Sequence, residues 1–328
     1  MNTQRAELQS AALAAQEGDM DALNRILRES PQLLEARDPE GQTLLILACK
    51  AATGDVALPP VPSTPGQLAA GDRILAAGAD PSVSDNGGLA PLHTAAGAGN
   101  QDLARRLLDA GAPLQGRLMG VEGGSPLAFS LFYAKTEVAQ LLADPPVPDN
   151  LRTTAALGRS LDHFIDGDGL TAAASEGVDF YRPLPIFPEW NRTNSRQELL
   201  DEALSWAARN GQCESMATLV EIGANVNANP YRGPPLLWAV YDDRVNAAAW
   251  LLDHGADPDL RHDFGGAGHG NSAVAMHLAA QNGSLKCLEL FLERGADSTI
   301  RDAAFGGTPL GWAQHAGTES SVALLTAT

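Results

Sequence analysis

One phrase returns along this chain and limits what it can fold into: Ala90-Pro91-Leu92-His93-Thr94-Ala95-Ala96, followed about fifteen residues later by Leu107-Leu108-Asp109-Ala110-Gly111-Ala112. It recurs as Ala275-Met276-His277-Leu278-Ala279-Ala280 with Phe291-Leu292-Glu293-Arg294-Gly295-Ala296-Asp297, and it begins again at Thr308-Pro309-Leu310-Gly311-Trp312-Ala313. The second half alone returns as Ile74-Leu75-Ala76-Ala77-Gly78-Ala79-Asp80-Pro81, Leu219-Val220-Glu221-Ile222-Gly223-Ala224-Asn225 and Leu251-Leu252-Asp253-His254-Gly255-Ala256-Asp257-Pro258. Such repetition means that each unit leaves an apolar face for its neighbour to cover, so the architecture follows before any single residue is interpreted.

Each part of the phrase has a physical role. A Thr or Ser caps the first helix, Pro is tolerated at its first position, and small Ala residues let adjacent helices approach closely. Gly then ends the second helix, because a residue without Cβ takes the left-handed conformation cheaply. These motifs resemble the ankyrin-repeat family. The resemblance implies an all-α solenoid of helix-turn-helix repeats, with hairpin loops forming fingers on one edge and a groove beside them as the usual binding face. Taking the second Ala of the first helix as a marker places copies at Ala14, Ala48, Ala95, Ala155, Ala207, Ala239, Ala279 and Ala313, with a weak one near Leu131. About nine repeats are expected, at a period of ~33 residues where no insertion intervenes.

The longer intervals mark insertions within one expected solenoid, 1–328. N-terminal repeats fill 1–143, with a Pro-rich insertion at 58–66 expected to form an extended loop. Residues 144–200 hold a degenerate repeat and a long insertion, 167–195, rich in Pro and aromatic side chains. C-terminal repeats fill 201–328, and the loop around Arg261-His262-Asp263-Phe264-Gly265 is lengthened by further glycines.

A formal charge of −18, from 22 basic and 40 acidic residues, argues against nucleic-acid phosphates or an anionic membrane as partner and for a neutral or basic protein surface. Solubility of a long exposed stack explains the same charge. Three distant cysteines, Cys49, Cys213 and Cys287, form no Cys-x-x-Cys pair, which favours a reducing compartment. The N-terminal residues lack the apolar core of a signal peptide, no stretch approaches a membrane span, and a cytoplasmic monomer is expected.

Residues that carry chemistry are sparse. His93 and His277 fall on the histidine of the phrase, where the family resemblance implies a structural hydrogen bond to backbone of the neighbouring repeat. His262, Asp263 and His269 suit a divalent cation by residue type, but their spacing matches no metal motif, and no metal is assigned. No nucleophile motif or phosphate loop stands out, so no catalytic residue and no cofactor are assigned.

Aromatic residues are the better candidates for binding. Trp206, Trp238 and Trp312 each precede a marker Ala, and equivalent positions in a stack align in a column that either packs the repeats or lines the groove. The 167–195 insertion carries Tyr181 and Trp190, and reads either as a plug over uncovered repeat faces or as a lip shaping a pocket. Tyr231, Arg232, His262 and Phe264 are expected at finger tips, with Tyr231-Arg232 as the preferred anchor. Tyr241 and Asn282 follow the marker alanines towards the groove. Two functions fit: a non-enzymatic scaffold that binds a protein through groove and fingers, or a small-molecule binder or enzyme with a pocket between the insertion and the groove.

Overall fold

Five helices open with proline in their first turn and most of the first-helix caps are Thr, Ser or Asn, as the repeated phrase requires. The computed structural model describes residues 2–50, 64–116, 124–143, 150–167, 169–175, 193, 195–263 and 271–327. It separates into two units: the described part of the first lies within Met1–Val147, and that of the second within Pro148–Val178 and Leu184–Thr328.

The first unit contains four helix pairs: α1 (Asn2–Glu17) with α2 (Met20–Glu29), α3 (Leu44–Cys49) with α4 (Pro65–Ala76), α5 (Pro91–Gly97) with α6 (Gln101–Asp109), and α7 (Pro126–Phe132) with α8 (Thr136–Leu142). First helices pack on first helices, α1 to α3 to α5 to α7, and second on second, α2 to α4 to α6 to α8. Between them lies a core of Leu23, Leu44, Ile46, Ile74, Leu92, Leu107, Leu127 and Val138. Thr43 and Ser125 accept from the amides of Ile46 (3.4 Å) and Ala128 (3.1 Å), so each caps its helix.

The Pro-rich stretch 58–66 differs from expectation at its end. Thr64 caps α4 and exchanges hydrogen bonds with Gln67, and Pro65 and Gly66 belong to the helix rather than to an extended loop. Proline lacks only an amide proton that the first helical turn leaves unused, so it starts this helix instead of breaking it. Residues 58–63 lie outside the described residues.

In the second unit α9 (Leu151–Ala156) is followed by a single-turn helix, Asp162–Phe164, the two-residue strands β1 (Ile165–Asp166) and β2 (Gly169–Leu170), and a further turn, Ala172–Ser175. The remaining pairs are α10 (Arg196–Arg209) with α11 (Cys213–Glu221), α12 (Pro235–Tyr241) with α13 (Val245–Asp253), α14 (Ala275–Asn282) with α15 (Leu285–Glu293), and α16 (Pro309–Ala316) with α17 (Glu319–Thr326). Strands β3 (His262–Asp263) and β4 (Asn271–Ala273) form an antiparallel hairpin ahead of α14, with His262 opposite Ala273. The first helices again stack in series, α9, α10, α12, α14 and α16. All nine marker positions fall on first helices, and all but the half-buried Ala48 are buried. The fifth repeat is the irregular one: among the described residues, turns and a short hairpin stand between α9 and α10 in place of a second helix.

Candidate functional site

The histidines of the phrase hold successive repeats together. His93 accepts from the Ala90 amide at Nδ1 (3.2 Å), so its proton sits on Nε2, which donates to the Gly124 carbonyl at 2.8 Å. His277 repeats this geometry, accepting from Val274 (3.2 Å) and donating to the Gly307 carbonyl (3.1 Å). Burial favours the neutral ring and lowers both pKa values, that of His93 to about 4. Both are structural, as the resemblance implied.

A second set of links runs through the finger roots. Arg37 donates to the Gly41 carbonyl within its own finger and to the Ser84 carbonyl of the next, and Arg261 donates likewise to Ser272 and Arg301. The residue after each root is Asp38, Asp85, His262 and Asp302 in turn. The carboxylates accept backbone amides of their own loops: Asp38 from Gln42, Asp85 from Gly87 and Leu89, Asp302 from Phe305 and Gly307. At Asp302 burial works against ionisation, but hydrogen bonds from the Trp312 indole and these amides hold the carboxyl below its ordinary pKa. His262 is the exception in the series. It is 4% exposed, so the expected finger-tip position is corrected: on β3 the side chains alternate, His262 buried and Asp263 exposed.

The three tryptophans are also buried, Trp206 and Trp238 almost wholly. Trp238 donates its indole N–H to the Tyr231 carbonyl (3.2 Å) and Trp312 to Asp302 (3.0 Å). The Arg209 guanidinium lies 3.5 Å from the centre of the Trp238 ring, and Arg152 lies 4.2 Å from that of Trp206. Arg152 also pairs with Glu202 at 3.1 Å, both side chains nearly inaccessible. The surroundings of Trp206 and Trp238 are therefore those of packed core residues. Tyr231 is buried too, which corrects its expected place at an exposed tip: its backbone holds Trp238 and its ring lies inside. Arg232 is half-buried in a left-handed turn, φ 59°.

Accessible recognition chemistry gathers further along the second unit. Gln281 of α14, Gly311, Trp312 and His315 of α16, and Phe305 and Gly307 of the preceding finger line a cleft of about 340 Å³. Phe305 is 69% exposed, one of two large apolar side chains so exposed among the described residues. Asn282, next to Gln281, donates to the Tyr241 carbonyl at 3.3 Å, so these two expected groove residues are brought together and continue the surface across α12 and α14. Asp242 beside Tyr241 pairs with Arg244 at 2.8 Å. Phe305 and His315 complete a surface of which the sequence suggested Trp312, Gln281, Asn282 and Tyr241. A lone large apolar residue in Ala303-Ala304-Phe305-Gly306-Gly307 was the available signal.

Tyr181, Trp190 and Phe264 lie outside the described residues. Among the described residues no three His, Cys, Asp or Glu side chains are grouped to hold a metal ion, and no helix is long and apolar enough to cross a membrane.

Comparison with known families agrees with this architecture. Ankyrin repeats in three copies match residues 170–262, ankyrin repeats in many copies match 236–292, and a single ankyrin repeat matches 87–116. The chain is 30% identical over 131 residues to cyclin-dependent kinase inhibitor 2A of Monodelphis domestica, covering 40% of this chain and 72% of the inhibitor. It is 22% identical over 334 residues to the E3 ubiquitin-protein ligase KEG of Arabidopsis thaliana, covering 87% of this chain but only 19% of the ligase. It is 41% identical over 88 residues to protein PhlB of Serratia liquefaciens, covering 26% of this chain and 35% of PhlB. The chain belongs to the ankyrin-repeat family.

Proposed function

We propose that this protein is a non-enzymatic docking scaffold whose second unit receives a peptide segment of a neutral or basic protein at the Phe305–Trp312 cleft. The observation that carries this reading is the exposed Phe305 ring beside a cleft floored by Trp312 and edged by Gln281 and His315. An apolar side chain held out in water beside a concave surface suits an anchor contact, and the amides of Gln281, Asn282 and Gln314 offer adaptable hydrogen bonds around it. Residues 196–327 carry sixteen acidic against eight basic side chains, a field that steers a basic segment towards this unit. Ankyrin repeats generally serve protein–protein interaction, and the matched kinase inhibitor fits that pattern. The reading extends to a reducing, cytoplasmic setting, supported by three free thiols, and to a monomeric chain.

The test is selection from a random peptide library on the full chain, followed by titration against variants. Selected peptides are expected to carry an aromatic or branched aliphatic residue flanked by Lys or Arg. Phe305→Ser is expected to weaken them at least ~10-fold without changing helix content. Peptides that bind Phe305→Ser and wild type equally would remove the cleft as the docking site.

A further inference from the structure

The eighth repeat, in the second unit, places an imidazole at its buried finger root. Where Asp38, Asp85 and Asp302 stand at their finger roots, the eighth repeat has His262, buried on strand β3 opposite Ala273 of β4. The phrase histidine that follows is His277, whose Nδ1 accepts the N-capping amide of α14 and whose Nε2 holds the Gly307 carbonyl in the wall of the cleft. Its ring meets the edge of Trp312, with centres 5.2 Å apart. In the first unit the matching histidine, His93, faces the carboxylate Asp85, which favours its protonated form. In the second, the group from the same finger is another imidazole.

We propose that His262 and His277 form a proton-sensitive latch that keeps the β3–β4 hairpin and the Gly307 wall of the cleft closed at neutral pH and releases them together on acidification. Protonation at His277 Nδ1 removes the acceptor for the Val274 amide and puts a cation at the N-terminus of α14, where the helix dipole opposes it. Protonation of His262 puts a second cation in the same enclosed space. The surrounding charged groups are Arg261 and Asp263 beside His262, and Arg301 and Asp302 at the next finger root; β4 contributes none. Arg261 adds to the repulsion of a proton on His277, and Asp302 opposes it. Burial, and after it the neighbouring His277, lower the pKa of His262 to about 4 against a backbone hydrogen bond with Val274 that favours the protonated ring. An opened hairpin returns both rings to water and an ordinary pKa near 6.5, so opening binds protons that the closed state rejects. Loss of docking on acidification would rest additionally on the proposed function; the latch itself is testable without a partner.

The experiment is native-state amide exchange on the whole chain between pH 6.5 and 4.5, corrected for intrinsic exchange, read at Val274 and Ala273 with Ala90 beside His93 as internal reference. Linkage makes the opening constant rise about 10-fold per pH unit for one released histidine and about 100-fold for two. Wild type is expected to exceed 10-fold per unit at Val274, and His262→Phe to fall back to about 10-fold, the slope expected at Ala90. A wild-type slope of 10-fold or less, or one unchanged by His262→Phe, would overturn the proposal. Direct ¹⁵N titration of the wild-type rings tests it without a variant. Both are expected to resist protonation until the hairpin amides lose protection; either ring titrating near pH 6.5 with those amides still protected would also overturn it.

Discussion

Glu202→Gln probes a buried ion pair in the second unit. Arg152 and Glu202 lie 3.1 Å apart with side chains 3% and 1% exposed, and the Arg152 guanidinium also covers the Trp206 ring. Glutamine keeps the volume and one acceptor oxygen but removes the negative charge, leaving a guanidinium cut off from solvent. Breaking a buried pair in this way costs about 3–5 kcal/mol; with one hydrogen bond retained, the lower figure is expected. For a unit of this size that is a fall in Tm of roughly 10 °C. Replacing both partners with apolar residues, Arg152→Met with Glu202→Leu, removes both desolvation costs, so the double variant should lose less than Glu202→Gln alone, although the contact with Trp206 goes as well. The assay is urea unfolding followed by tryptophan fluorescence, with Arg152→Met and Glu202→Leu completing the cycle. A loss under ~1 kcal/mol in Glu202→Gln, or a double variant as unstable as the worse single one, would refute the reasoning.

The remaining predictions probe other layers of the fold. Gly255 has φ 90° with open space where a Cβ would stand, so Gly255→Val should lose about 1–2 kcal/mol through backbone strain alone, measured as a shift in unfolding midpoint. Gly97 has ordinary φ, but a Cβ there would overlap the Phe129 ring, so Gly97→Ala should lose a similar amount by overpacking and be relieved by Phe129→Leu. His93 is buried neutral with a pKa near 4 against about 6.5 unfolded, so its contribution is complete above pH 6.5 and is lost as pH falls towards 4. His93→Gln should remove up to about 3 kcal/mol from the acid-side slope of stability, read from unfolding midpoints between pH 7.5 and 4.5. Burial raises the thiol pKa of Cys49 to about 12 and raises that of Cys287 as well, so an alkylating reagent at pH 8 should label the half-exposed Cys213 first in native protein.

The architecture was legible because the repeated phrase encodes backbone requirements. Proline at the first helical position, Ala at the contact and Gly at the left-handed turn each answer a constraint that acts within one repeat, and all nine markers fell on first helices. Legibility ended where a side chain's surroundings depend on distant segments. Tyr231-Arg232 looked like an anchor by residue type, yet Tyr231 is buried and its carbonyl is held by the Trp238 indole on another element. The Arg152–Glu202 pair was invisible because its members stand in different repeats, and neither residue is unusual alone. Phe305 was hidden for the opposite reason: a single exposed aromatic has no periodicity to betray it.

Many of the polar links between repeats are addressed to backbone rather than to side chains. Arg37 reaches Ser84, His93 reaches Gly124, Asn227 reaches Gly255 and Asp257, Ser284 reaches Val240, Asp259 reaches Asp297 and His277 reaches Gly307. Every one of these contacts ends on a backbone amide or carbonyl of the adjoining repeat. A link addressed to backbone survives any side-chain change at its target that preserves the turn, so the residues exposed around it, Phe305, Gln281 and His315 among them, are released from stabilising the stack. Asp243 shows the cost when one residue serves both demands. It occupies a left-handed turn at φ 51°, where most other repeats place Gly and the fourth places Ala134, and accepts from the Cys287 amide at 2.9 Å. Asp243→Gly should relieve roughly 1 kcal/mol of strain while giving up a hydrogen bond of similar size, and Asp243→Ala should lose the bond and keep the strain. The difference between the two variants in unfolding midpoint therefore isolates the backbone term, and an alanine variant as stable as the glycine one would show that the turn, not the residue, sets the conformation.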